Sequence, residues 1–185
     1  MGIFRFPRTP EQLNERARNS LPGFLGIRII EVGADYLRAT MPVNERTHTP
    51  FGILHGGASV ALAETIGSLA SSLCIDEQFM CVGQEINANH LRGITTGTVT
   101  ATARPFHLGS RSHVWHIEIR DESERLVCVS RLTMAIVERR PQARVGREVE
   151  RRERVVEEVD LRAAHERPCD RQALTLAARH ARAAL

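Results

Sequence analysis

Lysine is absent: all 25 basic side chains among the 185 residues are arginine. That excludes a catalytic or Schiff-base lysine and any phosphate loop ending in Gly-Lys. Aromatic residues are few, one Trp, one Tyr and six Phe, and all of them lie between Phe4 and Trp115. The four cysteines, Cys74, Cys81, Cys128 and Cys169, form no C-x-x-C pair. Met1 to Arg8 holds no uninterrupted apolar stretch, and position six is Phe6 in place of the Ser or Thr a myristoylation site wants. These absences lead us to expect free thiols, no signal peptide and a reducing cytoplasm. The longest weakly charged stretch is studded with Gly, Ser, Thr and one Glu, so no membrane span is expected.

What is present is an ordinary apolar content of 42%, which excludes disorder throughout and suits one domain with a real core. The charge is unevenly placed. Residues 1–138 hold 13 Arg and 14 Asp or Glu, a net of −1, whereas residues 139–185 hold 12 Arg and 8 Asp or Glu, a net of +4. The basic balance therefore belongs to a tail, and no nucleic-acid partner is expected because the acids of the tail blunt its charge. We divide the chain into a domain at 1–138 and an arginine-rich tail at 139–185, a solvated appendage, helical or disordered. A shifted reading frame in GC-rich DNA is the other reading of the tail's composition.

Along the first part, Thr9 caps a short amphipathic helix that Pro22 and Gly23 end. Phe24 to Val32 and Tyr36 to Met41 form a hairpin across Gly33-Ala34-Asp35. Leu54 to Ile75 carries apolar residues at helical spacing (Val60, Ala63, Ile66, Ala70, Leu73) and reads as a buried central helix rich in small residues. Strands follow at Met80 to Leu91, Thr98 to Phe106, His113 to Arg120 and Leu126 to Val137. The period-two alternation of Val114, His116 and Glu118 against Trp115, Ile117 and Ile119 marks a sheet with one wet face. Antiparallel strands around one helix make an α+β domain whose sheet wraps that helix.

Glu64 is the only formally charged residue between Arg46 and Asp76. Burying an unpaired carboxylate costs several kcal/mol, so such a Glu needs a polar site, which suits a general base or nucleophile; the alternative is a solvated strip of the helix. Ser68 lies four residues on, on the same face. His55-Gly56-Gly57 opens the helix, where free amides and the positive dipole end favour a developing oxyanion; the alternative is a structural cap. His55 and Glu64 are separated by about 13.5 Å of helical rise. Both can act on one carbonyl only if two subunits share sites. His90 and the turn His107-Leu108-Gly109-Ser110-Arg111-Ser112 are further candidates, the turn for a phosphate. Val60, Ile66 and Leu91 are expected to line an apolar pocket. No metal site is expected, since His113 and His116 face opposite sides of a strand.

The run Thr47-His48-Thr49-Pro50-Phe51-Gly52-Ile53-Leu54-His55-Gly56-Gly57, continuing through Glu64 to Ser68, resembles the signature of the PaaI-like hotdog-fold acyl-CoA thioesterases. Val82 to His90 and Pro105 to Arg111 resemble its branch acting on 1,4-dihydroxy-2-naphthoyl-CoA in menaquinone synthesis. A second similar branch proofreads aryl-carrier-protein thioesters in enterobactin synthesis. The resemblance covers about residues 8–138. It implies a hotdog fold, a homotetramer built as a dimer of dimers with shared active sites, an acyl-CoA substrate, and no cofactor beyond the CoA of the substrate. It implies Glu64 as nucleophile or general base, His55 and the Gly56 amide polarising the thioester carbonyl, and Ser68 assisting. Gly83, His90, Leu91, Arg92, Gly93 and the residues His107, Leu108, Gly109, Ser110, Arg111 and Ser112 fall where relatives contact acyl-CoA, and Arg92 and Arg111 are the candidates for binding the CoA phosphates. Thr49 stands where relatives usually carry Gln, whose amide positions the thioester or water. Two other functions stay open: a hotdog-fold dehydratase, whose His-Phe-Pro motif is absent, and a non-catalytic acyl-CoA sensor.

Overall fold

The computed structural model describes residues 2–139, and the tail reading of 139–185 falls almost wholly outside the described residues. The first helix, α1 (Pro10–Ala17), begins with a capping box. The Thr9 hydroxyl accepts from the Gln12 amide at 3.4 Å, and the Gln12 side chain accepts from the Thr9 amide at 3.1 Å. Leu13 buries the inner face of α1. The Asn14 amide bonds both the N–H and the C=O of Ile29, at 2.8 and 2.9 Å, and so ties α1 to the sheet. Pro22 and Gly23 do not end α1 as the sequence suggests; it stops earlier, at Ala17. Pro22 sits in the first turn of a second short helix, α2 (Leu21–Phe24), a position where its missing N–H costs nothing.

Six strands follow the expected order: β1 (Arg28–Val32), β2 (Leu37–Pro42), β3 (Phe79–His90), β4 (Thr98–Leu108), β5 (Ser112–Arg120) and β6 (Leu126–Glu138). They form one antiparallel sheet in the order β1-β2-β4-β5-β6-β3. The central helix α3 (Gly56–Cys74) lies on its inner face. The alternation read in β5 holds: His113, Trp115, Ile117 and Ile119 are buried, while the residues between them are partly exposed. From α3, Leu62, Ala63, Ile66, Ala70 and Leu73 meet that layer. Burying each large apolar side chain there contributes about 1.5–3 kcal/mol.

Gly67 sets how closely helix and sheet approach. A Cβ on it would stand 2.5 Å from Leu132 Cδ2, so alanine there would force the buried Leu132 side chain or the helix to shift. One polar cluster sits inside this core. The indole N–H of Trp115 donates to the Ser71 hydroxyl at 2.6 Å, and His113 Nδ1 lies 3.3 Å from the same oxygen. This satisfies the one indole that the core must bury.

The length and composition of α3, 19 residues with mean hydropathy 1.2, would suffice to cross a bilayer. Half of that stretch is buried inside the fold, as befits the core helix of a sheet. Ile66 is part of this core and wholly buried, so it lines no pocket. The period that places it on α3 does not say which face meets the sheet.

At the two rims of the sheet the strands differ. The β1 edge is partly occupied by Asn14 of α1. The β3 edge, 12 residues long, carries exposed Met80 and Val82 and pairs only with β6 among the described residues.

Candidate active site

The loop before α3 is held by Thr47, a buried residue whose hydroxyl donates toward the Pro42 and Asn44 carbonyls and accepts from the Asn44 amide. The carbonyl of Thr47 takes the His55 amide at 2.8 Å, and the Ile94 carbonyl takes the Leu54 amide at 2.7 Å. His55 is thereby fixed as the N-cap of α3. Its Nδ1 accepts from the Gly57 amide at 2.8 Å, which leaves the proton of a neutral ring on Nε2, facing away from the cap. Ala58 and Ser59 turn their amides to the His55 carbonyl. The Gly56 N–H, in the first turn, finds no protein acceptor among the described residues. This is a free donor at the positive end of a helix, capable of stabilising an oxyanion.

His90, at the end of β3, comes to the same place. Its Nε2 lies 2.8 Å from where a Cβ on Gly56 would stand, so the imidazole packs directly on the first turn of α3. His55, Gly56 and His90 therefore form one cluster, continued by the exposed Leu91, Arg92 and Gly93, with Gly93 against Ile53.

Glu64 stands apart from that cluster. Within one chain it is exposed, contrary to the burial argued from the sequence, because the buried residues of α3 lie on other faces of the helix and only the edge strand β3 comes near it. One carboxylate oxygen, Oε1, rests 3.0 Å from the Cβ position of Gly83 on β3. Ser68, one turn later, is half-buried, and its hydroxyl reaches only the Met134 sulfur at 3.6 Å. The structure thus pairs Glu64 with Gly83, and His55 and Gly56 with His90. It does not unite the two pairs.

The turn from His107 to Ser112 lies at the other end of the sheet. The Ile136 amide donates to the Arg111 carbonyl, whereas His90 is paired with Cys128. Eight residues of β6 separate those anchors, or roughly 26 Å of strand. Arg92 and Arg111 are both exposed, and within one chain they cannot hold the same phosphate group. Thr49 turns its hydroxyl inward to its own loop, accepting from the Phe51 amide at 3.3 Å.

The described thiols offer no competing nucleophile. Burial pushes Cys74 up to about 11 and also raises Cys81 and Cys128, so all three are protonated near neutrality. Among the described residues no cluster of His, Cys, Asp or Glu has the makings of a metal site. Contacts the sequence reading missed are those of His90 with Gly56 and of Glu64 with Gly83. A glycine facing a polar residue in a strand was the available signal.

A family model described as thioesterase superfamily matches residues 51–128. The 1,4-dihydroxy-2-naphthoyl-CoA hydrolase of Escherichia coli is 55% identical over 135 residues, covering 73% of this chain and 99% of the relative. The proofreading thioesterase EntH of Cronobacter turicensis is 47% identical over 135 residues, covering 73% of this chain and 98% of its own. Among solved structures, a mutant thioesterase from Pseudomonas aeruginosa superposes with a TM-score of 0.74 at 51% identity, covering 75% of this chain and all of the other.

Proposed function

We propose, from the premise that the chain belongs to the thioesterase superfamily and is a thioester hydrolase, that it cleaves an aromatic acyl-CoA such as 1,4-dihydroxy-2-naphthoyl-CoA. The observation that carries the mechanism is the free Gly56 amide under His55 and His90, with Glu64 the one carboxylate on the same helix. The thioester carbonyl oxygen accepts from that amide, so charge gathers on it as the carbonyl carbon is attacked. Glu64 acts as general base, taking a proton from the attacking water, or attacks the carbon itself to give an anhydride that water then opens. In either route the C–S bond breaks with its electrons going to sulfur. A thiol is acidic enough to leave as thiolate without a strong acid beside it. Ser68 is positioned to hold the water or orient the carboxylate. The reading calls for no metal or cofactor and for a cytoplasmic location, where thiols such as the three described stay reduced.

The reading also needs two subunits. Glu64 and the helix start are too far apart along α3 for one carbonyl, and the open β3 edge supports their meeting across a dimer. Two β3 strands paired antiparallel near their middle would carry the helix start of one copy toward Glu64 of the other. A dimer of such dimers gives the homotetramer expected above.

The test is the Glu64→Gln variant. We expect it to fold as wild type and lose hydrolysis of benzoyl-CoA and 1,4-dihydroxy-2-naphthoyl-CoA, followed by thiol release. Wild-type turnover in that variant would overturn the mechanism. Aryl-carrier-protein thioesters in the same panel separate this substrate from a proofreading role.

A further inference from the structure

The fold opens a cavity of about 510 Å³ between α1, α3 and the beginning of β3, a size ordinary for a small-molecule site. One face of α3 forms its floor through Thr65, Ser68, Leu69 and Ser72, at the spacing of residues that share a helix face. Ser68 lies one turn on from Glu64 and on the same helix face, so the cavity wall comes within one helical turn of the catalytic candidate, although Glu64 itself does not line it. The Ser72 hydroxyl donates to the Leu69 carbonyl at 2.7 Å. Ser68, with only a sulfur at 3.6 Å, keeps hydrogen-bonding capacity for a ligand.

The rim is charged. Arg8 precedes the cap of α1, Arg16 lies in its last turn, and Arg139 follows β6. Two acids also line the cavity. Asp76 is occupied by Arg5 at 2.8 Å, which leaves Glu77 against three guanidinium groups. Arg139 spends its Nε on the Phe79 carbonyl at 3.0 Å. Arg8 and Arg16 form no ion pair among the described residues, in contrast to Arg18 of the same region, which meets Glu15 at 3.3 Å.

We propose that this cavity receives the acyl group of the substrate and that Arg8 and Arg16 select acyl groups bearing a carboxylate at their far end. The inference rests on the thioesterase reading of Glu64 and narrows its aromatic acyl-CoA to esters with a second carboxylate, in place of the 1,4-dihydroxy-2-naphthoyl example, which has none. The guanidinium fork matches the two oxygens of a carboxylate in a way an ammonium does not. Two such groups line the rim of a cavity whose α3 floor is apolar and hydroxylic.

The test compares benzoyl-CoA with 3- and 4-carboxybenzoyl-CoA in the full chain. The wild type is expected to favour one carboxylated ester at least tenfold in kcat/KM. The Arg8→Ala/Arg16→Ala double variant is expected to bring that ratio to near one, and Arg18→Ala, outside the cavity, is expected to keep it. A ratio near one in the wild type, or a ratio preserved in the double variant, overturns the proposal. If no ester is hydrolysed, the thioesterase reading of the site falls. Calorimetric binding of the free acids then decides: terephthalate or isophthalate held more tightly than benzoate, with the difference lost in the double variant, supports the cavity, and equal binding overturns it.

Discussion

His90 Nε2 stands 2.8 Å from the point where a Cβ on Gly56 would lie. The end of β3 and the start of α3 therefore touch through an imidazole at the free amide that the proposed mechanism uses, and a side chain at position 56 would meet that ring. Gly56→Ala forces the ring or the first helical turn to move. We expect kcat/KM to fall on the order of a hundredfold or more, the cost of a misplaced oxyanion donor, with an unchanged circular dichroism spectrum. Removing the ring in Gly56→Ala/His90→Ala should make the alanine less harmful than it is alone, a coupling that a double-mutant cycle in kcat/KM would measure.

Gly83 makes the corresponding space for Glu64. A Cβ there would meet Oε1 at 3.0 Å, tight enough that the carboxylate must shift by a few tenths of an ångström. Gly83→Ala is expected to lower kcat about tenfold through misalignment while leaving the thermal midpoint within a few degrees of wild type, since β3 is an edge strand. A large loss of stability with unchanged kcat would contradict the contact's role.

Subunit sharing has a direct readout. Glu64→Gln and Gly56→Ala homo-oligomers should each be nearly inactive. Unfolding and refolding them together should restore about a quarter of wild-type turnover, since half of randomly paired dimers are mixed and each mixed dimer has one intact site. No recovery would mean that each site is built within one chain.

Thr49 spends its hydroxyl on the Phe51 amide within its own loop. Thr49→Gln removes that bond and supplies an amide long enough to reach the thioester. One additional hydrogen bond, about 1 kcal/mol net, predicts a rise of roughly fivefold in kcat for aromatic acyl-CoA. Stopped-flow thiol release would show it.

The buried imidazole makes stability depend on pH. Burial lowers the pKa of His113 below the ordinary 6.5, with His107 adding to the shift and the Gly109 backbone opposing it. The unfolded chain therefore binds this proton at a higher pH than the folded one does. Stability is fully present above about 6.5 and is lost as the pH falls from there toward the folded pKa. Urea unfolding at pH 7.5 and 5.5 should show the decline, and His113→Gln should flatten it. An equal decline in that variant would assign it to other groups. Separately, Ser71→Ala strands the buried Trp115 N–H and is expected to cost about 1–3 kcal/mol.

Much of the fold was legible because its signals are periodic and local. The alternation through β5, the helical spacing through α3 and the Thr9 cap each depend on neighbours within a few residues, and the structure reproduces them. The edges of these readings failed: Pro22 begins a helix where it was expected to end one, and Ile66 faces the sheet where a pocket was expected.

The sequence by itself determined the fold class, the candidate residues for chemistry and the distance problem between His55 and Glu64, since helical rise follows from residue count alone. Only the tertiary structure decided which groups meet. His90 reaches Gly56, and Glu64 stays exposed against Gly83, because strand β3 is hydrogen-bonded to β6 at the far side of the sheet. Arg8 and Arg16, two arginines among 25 and unremarked in the sequence, become the rim of a cavity because α1 is tied to β1 by Asn14. Contacts of that kind join residues distant in the chain, and no local pattern encodes them.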